Sequence, residues 1–110
     1  MPPSESAKKP LSYNRYLKVP NLLQLQQTLS EPESHDELLF IIIHQTYELW
    51  FRQILHELDA TISWIKEGRL FRANHSLRVV TSIERILVSQ IHILETMAPI
   101  GFLEFREKLY

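Results

Sequence analysis

The chain contains no cysteine and only two glycines, Gly68 and Gly101, among its 110 residues. The absence of cysteine excludes disulfide bonds and thiolate metal sites, and it fits a reducing compartment, so we expect a cytoplasmic location. The scarcity of glycine argues against an all-β domain with many tight turns. The sequence therefore predicts an all-α protein built from long helices.

An excess of charge and a long apolar run are also missing. The formal net charge of −1 creates no long-range field for nucleic acid or for an anionic membrane. The longest apolar run, residues 38–43, is far shorter than the ~20 residues that a membrane-spanning helix needs. With 45% hydrophobic residues, the composition is that of one soluble globular unit, and we expect no nucleic-acid and no membrane partner.

The N-terminal region divides into a tail and an arm. The sequence MPPSESAKKP has three prolines and no apolar pattern, so residues 1–10 are predicted to be disordered and not to form a signal peptide. The arm covers residues 11–20, and its apolar anchors are Leu11, Tyr13, Tyr16, Leu17 and Val19. Asn21 is placed to cap a short helix over about 22–29. Residues 21–110 are predicted to form a helical domain.

Two long helices and a short one are predicted in that domain. Ser34 and Glu37 have the spacing of a capping box, and apolar residues then recur at steps of three and four. Gly68 favours a helix end, because glycine adopts the left-handed conformation at little cost. We therefore expect helices over about 35–67 and 70–97, the second ended by Pro99, and a short helix over 102–110.

The lengths of the two long helices carry a further expectation. At 1.5 Å per residue they would be ~40–50 Å long, whereas a compact domain of this size has a radius of gyration of ~13 Å. A long antiparallel helical hairpin cannot cover two apolar stripes with one short helix and an arm. We expect cover from a homo-oligomer, through the apolar helix faces and the arm, or from a further portion of chain.

His44 interrupts the apolar stretch FIIIHQTYELWF at positions 40–51. The helical period places it with Phe40 and Tyr47, so we expect it to face the core and not water. It is then either a buried histidine that bonds a neighbouring carbonyl or Glu48, or a ring nitrogen in an aromatic pocket that binds a ligand. The residues alone favour the first interpretation.

A metal site is a weaker alternative. His44 and Glu48 are four residues apart, and His92 and Glu95 form a His-x-x-Glu pair on the second helix. Carboxylate-bridged di-metal bundles use the opposite order, Glu-x-x-His, together with further glutamates. The remaining three histidines are expected on solvated faces; they are His35, His56 and His75. No metal ligand is therefore assigned.

Three segments together carry a specific resemblance: LSYNRYL, HDELLFIIIHQTYELWFRQILHELD and ILETMAPIGFLEFREKL. In this order, from about residue 11 to the last residue, they closely resemble the N-terminal part of the tryptophan 2,3-dioxygenase family. The resemblance implies an all-α haem enzyme, usually a homotetramer. Such an enzyme inserts O₂ across the C2–C3 bond of the indole of L-tryptophan and gives N-formylkynurenine, the entry to the kynurenine pathway of tryptophan catabolism.

The resemblance also assigns residues. His44 matches the catalytic distal histidine that hydrogen-bonds the indole N–H, and Phe40 matches the aromatic wall beside the indole. Phe102 and Arg106 match the aromatic-x-x-F-R stretch whose arginine grips the substrate carboxylate, a role that suits a planar guanidinium. Three arm residues match the segment that reaches into the neighbouring subunit's active site: Tyr13, Tyr16 and Leu17.

Two family features lie beyond the residues that match. An S-G-F-Q-S segment follows the arginine in the family, and the histidine that ligates haem iron lies much further downstream. The helical domain is thus expected to be incomplete relative to the family, with substrate-pocket residues but no iron ligand. By itself the chain is expected to be catalytically inactive, and the alternative is a truncated helical oligomerisation module without chemistry.

Overall fold

In the computed structural model, the described residues are 12–97, 99–103 and 105–109, and helices but no strands occur among them. Two short helices come first, α1 (Tyr13–Leu17) and α2 (Val19–Leu22). Two long helices follow, α3 (Glu37–Lys66) and α4 (Leu70–Leu94), and then α5 (Pro99–Leu103) and a 3₁₀ turn (Arg106–Leu109). The all-α prediction is confirmed, while the predicted disordered tail at 1–10 lies outside the described residues.

The long helices α3 and α4 form the antiparallel hairpin that the periodicity predicts. Hydrogen bonds join Thr46 to Gln90 (3.0 Å) and Ser76 to Glu57 (2.7 Å), so positions late in α4 face positions early in α3. The facing residues of α4 recur at steps of three and four, the spacing of a helix–helix seam. Its fully buried members are Ala73, Ser76, Val80 and Ile83.

Gly68 ends α3 as predicted. Its φ of 75° is left-handed, and its N–H donates to the Ile65 carbonyl while the Arg69 N–H donates to the Trp64 carbonyl. This pair of bonds is the Schellman arrangement, which satisfies the last carbonyls of a helix. Because nothing lies within 4 Å of a Cβ built at Gly68, only its backbone conformation favours glycine, and the tight reversal sets the hairpin.

Several predicted helix boundaries are wrong. Residues 24–30 have no regular structure, and the short helix lies earlier, at Val19–Leu22, where Pro20 is accommodated in the first turn. Helix α4 ends at Leu94, and Pro99 begins α5 instead of ending the preceding helix. The predicted helix at 102–110 is two shorter pieces. The apolar periodicity continues past the residues at which the helical backbone hydrogen bonds end, so the predicted helices are too long.

The capping box is also wrong. The N-cap of α3 is Asp36, and no side chain caps it. The Glu37 carboxylate instead accepts hydrogen bonds from the preceding loop, and the Ser34 hydroxyl donates to the carbonyl of Gly101 at 3.2 Å. Side chains with capping spacing have therefore been used for tertiary contacts, because the loop and α5 pack against the start of α3.

The hairpin leaves much apolar surface open. The radius of gyration is 19.7 Å, well above the ~13 Å expected of a compact chain of this length. On α3 one exposed stripe has alternating steps of four and three, and it consists of Phe51, Leu55, Leu58, Ile62 and Ile65. None of the described helices is long and apolar enough to cross a membrane. The expected shortage of cover is therefore present in the described residues.

Candidate functional site

An aromatic cluster lies where α3 meets α5. Phe40, in the second turn of α3, has its ring centroid 5.7 Å from that of Phe102 and 5.1 Å from that of Phe105. Phe102 and Phe105 contact each other edge to face at 5.5 Å, an arrangement that the ring quadrupoles favour. Phe105 is completely buried and anchors the cluster, so the end of the chain is held against the beginning of α3.

His44 continues this cluster along α3. Its ring lies 4.2 Å from the Phe40 ring, and its Nδ1 is 2.7 Å from the Phe40 carbonyl oxygen. A carbonyl can only accept, so Nδ1 carries the proton and donates it. In the neutral ring Nε2 is then the acceptor, and the imidazole presents one lone pair in a defined direction.

The expectation that His44 faces the core is wrong. Its side chain is exposed in the described structure, because Ile43 occupies the buried position on this turn. The predicted hydrogen bond to a neighbouring carbonyl is present. The carbonyl is that of Phe40, one turn earlier, and the bond uses Nδ1, so Nε2 is not involved in it. An apolar groove of about 520 Å³ runs past His44 between α3 and the segment after α2, and its walls include Leu22, Leu25 and Leu49.

The remaining predicted site residues are placed differently. Arg106 is exposed and begins the 3₁₀ turn directly after Phe105, so the buried ring fixes its backbone near the cluster. On α1, Tyr13 and Tyr16 are exposed, as is Leu17. Phe40 thus contacts the rings of both His44 and Phe102, and Arg106 follows the buried Phe105 directly in the chain. The side chains of the arm are open to solvent.

A polar layer, formed by Glu37, Ser30 and Ser34, lies at the start of α3, one turn before Phe40. The Glu37 carboxylate accepts hydrogen bonds from the Leu29 N–H (2.7 Å), the Ser30 N–H (3.0 Å) and the Ser30 hydroxyl (2.6 Å). The Ser34 N–H donates to the Ser30 hydroxyl oxygen at 2.8 Å. Among the described residues, every buried side-chain nitrogen and oxygen has a partner, so this layer is fully satisfied.

Glu37 is ionised in this layer. Burial, the strongest single influence, acts to raise the pKa of Glu37. The hydrogen bonds from the Ser30 hydroxyl, the Leu29 N–H and the Ser30 N–H, together with the positive charge of Lys108, outweigh burial and hold this pKa below its usual value. A charged carboxylate therefore organises the loop before α3.

Sequence reasoning missed two residues of this junction. Phe105 was read only as part of a motif, although it is the completely buried ring. Glu37 was read as a local cap. A usable signal was the phenylalanine pair at 102 and 105, whose spacing of three places both rings on one side of a short helix.

The described residues give no sign of the metal alternative. Among residues 12–97, 99–103 and 105–109, no group of three or more histidine, aspartate or glutamate side chains could hold a metal ion. His92 instead lies 3.6 Å from Glu95, and both side chains are exposed. The spacing of this pair is accounted for by a surface contact within one turn.

This chain is similar to known tryptophan 2,3-dioxygenases. The family model described as tryptophan 2,3-dioxygenase matches residues 2–110. The tryptophan 2,3-dioxygenase of a Nocardioides species is 54% identical over 103 residues, which cover 90% of this chain and 39% of that protein. The enzymes of Herpetosiphon aurantiacus and Dictyostelium discoideum are 48% and 43% identical, with 90% and 96% of this chain covered.

The match covers nearly all of this chain but only part of its relatives. The chain spans 38% of the Herpetosiphon protein and 28% of the Dictyostelium protein. Since the family model covers almost every residue, including the helical hairpin and the aromatic cluster, the chain belongs to the tryptophan 2,3-dioxygenase family.

Proposed function

We propose that the chain is the N-terminal portion of a haem-dependent tryptophan 2,3-dioxygenase and that the α3–α5 junction is one wall of its L-tryptophan pocket. The observation that carries the proposal is the bonding of His44. With Nδ1 donating to the Phe40 carbonyl, Nε2 is an oriented acceptor, which is what an indole N–H requires.

Neighbouring residues bind the other parts of the substrate, namely the face of the indole and the carboxylate. The rings of Phe40 and Phe102 offer faces and edges for a planar indole. Arg106 binds the substrate carboxylate, because its planar fork can donate to both oxygens at once. These contacts orient the substrate, and Nε2 of His44 accepts the hydrogen bond from the indole N–H.

The arm completes the pocket of a second copy in this proposal. Tyr13 and Tyr16 are both largely exposed, so their rings are open to contact with another chain. The exposed stripe on α3 offers a further surface for association. We therefore propose a homo-oligomer in which the arm and the helix faces supply the missing cover, within the cytoplasm.

Haem is the cofactor that the family resemblance implies, and when bound it supplies the oxygen chemistry. The described residues fit one apolar wall beside a planar group, through Phe40 and Phe102. They supply no residue that would hold the iron, since we assign Nε2 of His44 to the substrate and no other described histidine lies in the cluster. The iron ligand is therefore expected from outside residues 1–110.

The alternative is a helical oligomerisation module that carries out no chemistry. The specific observation that favours it is the exposed α3 stripe from Phe51 to Ile65, whose steps of four and three are those of a helix–helix seam. In this alternative the exposed faces associate, and the aromatic cluster only stabilises the fold.

A haem titration of the purified chain, followed at the Soret band with and without L-tryptophan, separates these functions. We expect no saturable haem shift from this chain alone, but measurable binding of L-tryptophan in the presence of a partner that completes the pocket. A haem shift that responds to L-tryptophan would contradict the assignment of the iron ligand to residues outside the chain. A folded oligomer without affinity for indoles in either setting would support the assembly module.

A further inference from the structure

We infer that Glu37 is a positioning residue of the substrate pocket, which acts through Ser30 and Ser34 to hold α5, and with it Phe102 and Arg106, at a set distance from His44. The inference rests on the proposed function and extends it to a residue that contacts no substrate. Glu37 is only 1% exposed, so its charge does not serve the protein surface.

The first step of the argument is the position of Glu37 on α3. Phe40 and His44 follow Glu37 by three and seven residues, so all three side chains lie on one face of a rigid helix. The atoms that hold Glu37 and those that orient the imidazole therefore move together. A displacement of the first turn of α3 would displace the His44 ring as well.

The second step is the link from Glu37 to α5. The Ser30 hydroxyl donates to Glu37 at 2.6 Å and accepts from the Ser34 N–H at 2.8 Å. The Ser34 hydroxyl, 2% exposed, donates to the Gly101 carbonyl at 3.2 Å. Gly101 immediately precedes Phe102, so this path of buried hydrogen bonds ends next to a pocket residue.

The third step is that apolar contacts alone would not fix the distance between α5 and the start of α3. Rings that pack edge to face can slide with little loss of contact area, whereas buried hydrogen bonds have a narrow range of distance and angle. An ionised carboxylate that accepts three hydrogen bonds strongly favours one loop conformation. The polar layer therefore determines where α5 rests, and the aromatic layer fills the space above it.

The hairpin contains a matched control at its far end. Ser76, 1% exposed, donates to Glu57 at 2.7 Å, which closely resembles the bond from Ser30 to Glu37. The two glutamates are 20 positions apart on α3, or about 30 Å. Replacing Ser76 removes a partly buried serine–glutamate bond without touching the α3–α5 junction.

The experiment compares the unaltered chain with Glu37→Gln, Ser34→Ala and Ser76→Ala. The first readout needs no ligand: it is the nuclear Overhauser effect between ring protons of Phe40 and Phe102. We expect this nuclear Overhauser effect to weaken or vanish in Glu37→Gln and Ser34→Ala. It should persist in Ser76→Ala, even if the Tm of that variant falls by the same amount. Its persistence in both junction variants would overturn the inference.

The second readout compares the affinities of L-tryptophan and indole, which lacks the carboxylate that Arg106 binds. We expect the preference for L-tryptophan to fall at least about tenfold in the junction variants, equivalent to roughly 1.4 kcal/mol, and to be retained in Ser76→Ala. An unchanged preference in Glu37→Gln, or an equal loss in Ser76→Ala, would refute a positioning role. If the unaltered chain binds neither compound, alone or with a partner that completes the pocket, the proposed function fails in this chain, and the ring-proton effect alone decides the inference.

Discussion

Gly101 lies so close to Asp36 that a Cβ at position 101 would overlap the Asp36 carboxylate and come within 3.2 Å of its Cβ. The contact joins the N-cap of α3 to the middle of α5. It is therefore a steric condition on the junction that holds the aromatic cluster, and it explains why the second glycine of the chain lies inside a helix.

Gly101→Ala is expected to destabilise the chain by about 1–3 kcal/mol, the range for overpacking a close contact. Asp36 must swing away or α5 must move, and a movement of α5 would disturb the packing of Phe102. Chemical denaturation measures the loss. The double variant Asp36→Ala/Gly101→Ala should recover part of it, because the overlap with the carboxylate is removed while the 3.2 Å approach to the Cβ of residue 36 remains; a loss unaffected by the second change would place the cause elsewhere.

His44→Ala is expected to weaken L-tryptophan binding, in a preparation that binds it, by about 0.5–1.5 kcal/mol, the range for one neutral hydrogen bond. The same variant should bind 1-methyl-L-tryptophan, which has no indole N–H, about as well as the unaltered chain does. Titration calorimetry provides both values. His56→Ala, an exposed histidine on the same helix, is the control, and equal effects of the two variants would return His44 to a purely structural role.

Arg106→Ala should cost more than His44→Ala, because hydrogen bonds to charged groups contribute about 1.5–3 kcal/mol. The effect should be confined to ligands with a carboxylate, so that tryptamine binding is little changed. Arg85→Ala, which removes an exposed arginine on α4, serves as the control. Normal L-tryptophan affinity in Arg106→Ala would show that this arginine is a surface residue.

Glu37 predicts a loss of stability in acid. Because folding lowers its pKa, the unfolded chain binds the proton more readily, and the stabilisation is complete above the unfolded-state pKa and is lost as the pH falls through the folded-state pKa. The free energy of unfolding should therefore fall as the pH drops below about 4.5, the usual value for this group, through the lower folded-state value.

Denaturation curves recorded between neutral and acidic pH test this expectation. Glu37→Gln should be less stable at neutral pH by about 1.5–3 kcal/mol, the contribution of hydrogen bonds to a charged group, and its stability should change less with pH. Glu84→Gln, on the exposed face of α4, is the matched control. If the free energy of unfolding of Glu37→Gln falls in acid as much as that of the unaltered chain, other carboxylates cause the loss of stability.

Local patterns in the sequence were sufficient to predict the class of fold and the hairpin. The three-and-four spacing of apolar residues is a local property of α3 and α4, and Gly68 meets a local backbone requirement, so neither depends on distant contacts. The motif around His44 and Arg106 was likewise sufficient for the family, because matching residue types in order is independent of packing.

The way in which α5 packs against the start of α3 depends on contacts between distant parts of the chain. Glu37 and Ser34 have capping spacing, but their hydrogen bonds go to residues 29, 30 and 101, since loop and helix partners compete with the local cap. The burial of Phe105 follows from the same junction. The contacts of Ser34 with Gly101 and of Phe40 with Phe105 join residues more than 60 positions apart, and no local pattern in the sequence specifies which distant partner a side chain will meet.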